Sequence, residues 1–452
     1  MKKVIGVVFG SLLFLTACQE KEMTVSRQMT ESGLPYTLIS MPGNSRVSFQ
    51  IAWPNHWTGF EGKNQLTPQV GTQLILAGGA EGYGAGEVLE EFTDMNSEGY
   101  LSASADYVFG TLHYSPEYAE KTLKIANAHL KAPALEERWF RRVQDQLASN
   151  AIEAAKVPGM SGFEALRLDV LGDQPARYSL DGTNEAEYRK VTVDNVREWV
   201  KTVIVRQGVS IVIAGDLDED SANDAVESLF EGLPEGKVHK PLTITSRYEP
   251  KRILYHDPEA TTTLLSFIGP MPPTTDGGEF EDAILISELR GINGVLLNAV
   301  RTELRASYDY AAGIDAFSRK NRFLILSGEV ESRRVSAAEK IIRRAYAKFV
   351  TTDSKANVKA LKSDYAENLK FMAGDTGSIA FAALMGTLDG FEESKVLGLM
   401  DELEVVSSQS VNERRSTAFP KESELIMVVS SPDPSVIADA CVITSPEEVR
   451  DC

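Results

Sequence analysis

Two stretches of this chain repeat one pattern at a fixed distance. Val47-Ser48-Phe49-Gln50-Ile51-Ala52-Trp53 alternates as a half-buried strand, and residues 261–269 (TTTLLSFIG) form a second strand whose Phe267 lies 216 residues after Ile51. Residues 208–215 (GVSIVIAG) and 424–430 are apolar closing strands, and Ile213 and Val429 within them are again 216 apart. Each closing run leads into an acidic turn, Gly215-Asp216-Leu217-Asp218 in one case and Ser431-Pro432-Asp433-Pro434 in the other. So long an offset excludes a short-period solenoid and implies a duplicated α+β unit. A length of 452 residues suits two large domains better than one core.

Between the first pair of strands, periodicity predicts helices over 64–77 and 85–98, then strands at 100–105 and 108–114. Helices follow at about 116–131, 134–155, 163–172, 193–205 and 219–231. A Pro/Gly/Lys-rich stretch at 232–241 separates the halves. In the second half, 279–304 reads as helical, 307–317 and 321–330 as strands, and 333–418 as several helices. The expected domains are 31–238 and 239–452.

The first residues read as an address. Lys2 and Lys3 precede an apolar run from 4 to 17 that is too short to span a bilayer, so 1–17 is expected to be a secretory signal. It ends in Leu15-Thr16-Ala17-Cys18, which resembles a bacterial lipoprotein box with Cys18 as the lipidated residue. Gln19 in place of Asp favours the outer membrane by the same resemblance, with 18–30 as a tether and the body facing the periplasm. Acyl chains anchor a protein to the membrane without spanning it. Cys441 and Cys452 are the other two cysteines, and a disulfide between them is expected in that compartment. A net charge of −19 argues against nucleic acid as a partner.

From about residue 30 to 435 the chain resembles the insulinase/pitrilysin family of zinc metallopeptidases. The marks are the opening strand, a helix running into Gly78-Gly79, Glu98-Gly99-Tyr100-Leu101-Ser102-Ala103-Ser104-Ala105, and Ala176-Arg177-Tyr178 with Asp181-Gly182-Thr183. Val191-Thr192-Val193-Asp194-Asn195-Val196, the closing strand and Val300-Arg301-Thr302-Glu303 with Tyr308 complete the series. The resemblance implies two homologous halves, each an antiparallel sheet backed by helices, around a peptide-holding chamber.

Family chemistry rests on His-x-x-Glu-His in the first helix, where two imidazoles one turn apart bind Zn²⁺ and the Glu activates its water. Here those positions hold Gln69, Thr72 and Gln73, and the distal Glu ligand falls near Gln144-Asp145-Gln146. The five histidines, His56, His113, His129, His239 and His256, contain no pair at i+3 to i+5. Neutral amides are weak zinc ligands and supply no base, so no cofactor is expected in this chain and it is expected to be inactive alone. The resemblance does match Arg301 and Tyr308, seven residues apart, to the family's pair that holds substrate backbone beside the zinc. Arg305 with Tyr310 is a rival pairing. Ser102 and Ala103 fall on the strand that family members offer to an extended peptide.

Gly78, Gly79, Gly82, Gly84 and Gly86 lack the Gly-Lys-Ser/Thr of a phosphate loop and read as a helix cap and turn, with a mobile loop over a chamber mouth as the alternative. Residues 216–220 lack the spaced ligands of a Ca²⁺ loop. The expectation is a non-catalytic, peptide-binding subunit of a periplasmic two-chain peptidase. Its partner would be a homologous zinc-bearing chain, and its substrates unfolded peptides. The alternative is a non-enzymatic envelope scaffold or peptide-binding protein on the same fold.

Overall fold

A computed structural model describes residues 22–59, 62–180, 182–290, 294–304 and 310–452. The expected signal, Cys18, Arg305, Tyr308 and Asp181 lie outside the described residues.

The first half opens with β1 (Thr24–Met29), β2 (Pro35–Ser40) and β3 (Val47–Pro54). It continues through α1 (Thr67–Ala77), α2 (Glu87–Asp94), β4 (Glu98–Ala103) and β5 (Tyr107–Tyr114). Next come α3 (Ala119–Lys131), α4 (Glu137–Ala155), α5 (Met160–Leu171), α6 (Glu185–Lys190) and α7 (Val193–Val203). It closes with β6 (Ser210–Gly215) and α8 (Glu219–Phe230). The second half holds β7 (Arg252–His256), β8 (Thr263–Pro270), α9 (Glu279–Leu289), α10 (Val295–Leu304), β9 (Tyr310–Ala316) and β10 (Arg322–Val330). Helices α11 (Val335–Thr351), α12 (Val358–Gly374), α13 (Thr376–Leu388), α14 (Leu399–Val405) and α15 (Ser408–Ala418) follow. The chain ends with β11 (Ile426–Ser431), β12 (Cys441–Ile443) and a 3-10 turn over Pro446–Asp451.

The fold is α+β, with two six-stranded sheets ordered β1-β2-β6-β3-β5-β4 and β12-β7-β11-β8-β10-β9. The 216-residue offset holds residue by residue in the pairing. Phe49 faces Ile213 as Leu265 faces Val429, and Ile51 faces Gly110 as Phe267 faces Leu326. Most pairs are antiparallel, but β2–β6, β7–β11 and β7–β12 are parallel, so the sheets are mixed. A strand inserted between two antiparallel neighbours must run parallel to one of them, and β6 enters between β2 and β3. Within the span expected as a tether, 18–30, Thr24–Met29 form β1 and pair with β2.

On one face, each sheet packs against helices of its own half. In the first half Trp53, Trp57 and Trp199 lie fully buried in that core, and Trp53 Nε1 donates to Val205 O at 3.1 Å. On the opposite face the halves exchange helices. Ala165, Leu166 and Leu168 of α5 pack with Ile253, Ile268 and Val428 of the second sheet. Ile379, Ala380 and Ala383 of α13 pack with Ile39, Ala52 and Val212 of the first. The two helices start 216 residues apart, at Met160 and Thr376, so the exchange is itself part of the repeat. Close approach is built in at Gly162, where an added Cβ would stand 2.2 Å from Ser430 Oγ. Cys441 and Cys452 are disulfide-bonded, tying the terminal 3-10 turn, which packs on α5, to β12.

Candidate functional site

α1 begins with Pro68 in its first turn and buries Val70, Leu74 and Ile75. At Gly71 an added Cβ would lie 2.4 Å from the Trp199 ring, so α7 presses directly on the helix backbone. Within this packing the three degenerate motif positions have separate fates. Gln69 Nε2 donates to Ser179 O at 2.7 Å, while its Oε1 accepts from Tyr188 OH. Thr72 is buried and its hydroxyl donates to Gln69 O at 3.0 Å. Gln73 is exposed. On α4, Gln144 Nε2 donates to Tyr188 O at 2.8 Å and to Val191 O at 2.9 Å, closing the C-terminal end of α6, and Asp145 pairs with Arg189.

The family fold implies zinc at this place, and these residues do not fit it. Two of the amides are committed to holding Tyr188 and its loop, and the positions offer neither imidazole nor carboxylate in a converging set. Among the described residues no group of three or more His, Cys, Asp and Glu could hold a metal ion.

β4 stands beside α1 and is an edge strand, paired among the described residues with β5 alone. Its alternation exposes Glu98, Tyr100 and Ser102 and turns Leu101 into the core. Ala103, partly buried, packs against that core, while the Ser102 side chain is exposed. β9 is the matching edge of the other sheet. A cleft of ≈ 620 Å³ lies over the face of the first sheet, lined by Gln50, Tyr100, Ser102, Phe109 and Thr111 of β3, β4 and β5, and reaches β9. Tyr100, Ser102 and Phe109 form one wall, Ile314 and Asp315 the other, and Phe381 and Met385 of α13 are the floor.

One end of the cleft is closed where the hairpin tips meet. Arg319 N donates to Asp106 Oδ2 at 2.9 Å, and its guanidinium is bidentate on Asp389, with Nε to Oδ1 at 3.1 Å. Thr274 Oγ1 donates to Asp389 Oδ2 at 2.6 Å. Behind the cleft, His113 Nδ1 lies 2.7 Å from Ser48 Oγ, which lies 2.7 Å from Thr376 Oγ1 at the start of α13. Burial holds the His113 imidazole below its ordinary value and neighbouring Arg46 adds to the effect, with Glu98 and Asp375 opposing it.

Arg301 sits on α10, exposed, while Leu296, Leu297 and Val300 bury the helix's other face. Its seven-residue partner Tyr308 lies outside the described residues, as does the rival Arg305. The structure removes the rival's second member. Tyr310 is 1% exposed and donates its OH to Leu265 O at 3.1 Å, so it is a core residue. The glycine-rich turn after α1 is anchored to the α3–α4 connection, with Ala134 N donating to Gly79 O at 3.0 Å and Glu81 N to Ala132 O at 3.1 Å. Gly79, Gly82 and Gly86 of this turn adopt positive φ.

The missed participants are Arg319 and Asp389, which close the cleft from 70 residues apart. Local sequence patterns cannot report a pair of that separation.

Residues 190–365 match the family described as Peptidase M16 inactive domain. No curated protein sequence matches the chain significantly. Among solved structures, the peptidase M16 inactive domain from Pseudomonas fluorescens superposes with a TM-score of 0.79 at 14% identity, over 90% of this chain and 98% of that one. The first half of the periplasmic protease PqqL from Escherichia coli gives 0.69 at 14%, over 94% and 95%. The complete PqqL gives 0.67 at 12%, over 94% of this chain and 50% of that one. The chain thus carries the fold of these M16-type structures, in line with the insulinase resemblance.

Proposed function

We propose that this chain, built on an inactive M16-type fold, is the peptide-holding and non-catalytic subunit of a two-chain zinc peptidase. One observation carries the proposal: β4, whose outer edge is unpaired among the described residues, lines a cleft between the two sheets, while Gln69 at a zinc-motif position beside it is locked into the fold. An open strand edge binds extended peptides through main-chain hydrogen bonds with little side-chain preference, which suits unfolded substrates. The complete PqqL spans about twice the length that this chain matches, which supports pairing with a second unit. That partner would hold the metal and its activated water. Arg301, exposed on α10, would with Tyr308 donate to substrate carbonyls. The N-terminal residues support lipidation at Cys18 and an outer-membrane anchor facing the periplasm.

The test is co-expression with a secreted homologue that carries His-x-x-Glu-His, followed by zinc content and cleavage of an unstructured peptide. The complex is expected to cleave with its zinc in the partner, and Arg301→Ala is expected to slow turnover. Full activity of the partner alone, or unchanged turnover of the variant complex, overturns the proposal and leaves the scaffold reading.

A further inference from the structure

β1 starts close to the segment that would carry the anchor. Thr24, its first residue, follows Cys18 by six positions, which an extended chain spans in about 20 Å. Thr24 pairs with Ser40, the last residue of β2, and the turn to β3 comes next. In that turn Asn44 Nδ2 donates to Gly374 O at 3.1 Å, so the C-terminal end of α12 lies at this same end of the first sheet. Three residues before Gly374, Phe371 is 78% exposed, the most exposed aromatic ring among the described residues. A 3-10 turn over Glu393–Gly398 packs along β1, with Arg27 paired to Glu393 at 3.5 Å, and its Leu397 is 42% exposed. The inter-half core makes no use of these two side chains, because their sequence neighbours Met372 and Val396 pack into it instead.

We infer that this end of the molecule is a membrane-contact face, where Phe371 and Leu397 enter the lipid interface beside the anchor. The inference rests on the lipidation at Cys18 proposed above. A tether of that length keeps the start of β1 within reach of the bilayer, so lipid is the surface that exposed groups at this end meet. An exposed aromatic ring gains by leaving water for the interface, where such rings concentrate. Apolar insertion carries the contact, since a net charge of −19 gives anionic headgroups no general attraction for the chain. β4 is the opposite edge of the same sheet, five strand spacings or about 24 Å from β1. A chain seated on this face therefore holds its β4 edge clear of the lipid.

The full chain, expressed with its N-terminal segment and purified from membranes, is reconstituted into phosphatidylcholine vesicles. Phe371→Cys, Leu397→Cys and Leu89→Cys, all at exposed sites, are each labelled with a nitrobenzoxadiazole fluorophore. Leu89, 73% exposed on α2 beside β4, is the control for an apolar site away from this face. Co-flotation with the vesicles tests the anchor, and quenching by phospholipids that carry a nitroxide on the acyl chain tests the face. Flotation is expected for all three variants, with a blue shift and quenching at 371 and 397 and neither at 89. Flotation without quenching at 371 and 397, or with equal quenching at 89, overturns the inference and leaves the anchor standing. Failure of the labelled chains to float overturns lipidation at Cys18 and the inference with it.

Discussion

Gln69 is a structural residue in a position where the family keeps a metal ligand. Both ends of its amide are used, so Gln69→Ala leaves Tyr188 OH and Ser179 O short of a partner each. A loss of about 1–3 kcal/mol is expected in urea unfolding. Gln73, one turn on and exposed, is expected to tolerate alanine within about 0.5 kcal/mol. The reverse order would show that the clamp at Gln69 does not stabilise the fold. Histidine gives a second prediction at this scale. Burial is the main cause holding His56, His113 and His129 below 6.5, the ordinary value that they regain on unfolding. Below pH 6.5 the unfolded chain therefore binds protons that the native state refuses, and stability falls with pH. The slope approaches ~1.4 kcal/mol per pH unit for each imidazole and ends once the native groups also titrate. Denaturant midpoints between pH 7 and pH 5 check this, and His113→Gln is expected to flatten the curve.

At the scale of elements, the hairpin tips and the exchanged helices hold the cleft open at a fixed width. Arg319→Ala would strip Asp389, whose side chain is 6% exposed, of its ion pair, while the backbone N–H at 319 still donates to Asp106. A loss of about 2–3 kcal/mol is expected, given partial solvent access to the arginine. Arg319→Lys, which cannot form the fork, is expected to recover only part of it. Thermal unfolding of both variants decides, and an unshifted midpoint for alanine would contradict the role. Much of this level was legible in the chain. Strands β3, β6, β8 and β11 are legible as strands, with Ile51 matching Phe267 and Ile213 matching Val429 at 216 residues, although β3 is buried on both faces where its alternation implies one. β1, β2, β7 and β12 were missed, being three to six residues long with little alternation. The single helix read over 279–304 is two, since Arg290 is extended and an added Cβ on Gly294 would meet Arg290 O at 2.4 Å. Arg290-Gly291-Ile292-Asn293-Gly294 carried that break in its glycines. At the site, the missing ligands could be read from Gln69, Thr72 and Gln73 directly. What those residues do instead depends on Tyr188 and Ser179, more than 100 residues away.

For the whole molecule, the helix exchange makes two halves that sequence alone presents as separable into one cooperative body. Without α13 the first sheet would expose Ile39, Ala52 and Val212, and without α5 the second would expose Ile253, Ile268 and Val428. Residues 22–250 expressed alone are expected to be aggregation-prone and to lack a cooperative transition, while the intact chain unfolds in one step by calorimetry. A stable, monomeric first half would contradict the exchange as the source of cohesion.

The central claim is that this chain grips an extended peptide at β4 without a metal. Amide hydrogen exchange over residues 98–103, with and without an unstructured peptide and in the presence of a zinc chelator, measures it directly. The account predicts slower exchange at alternate β4 amides when peptide is bound, unaffected by the chelator. Exchange at β4 that is indifferent to peptide, or protection that the chelator abolishes, would contradict it.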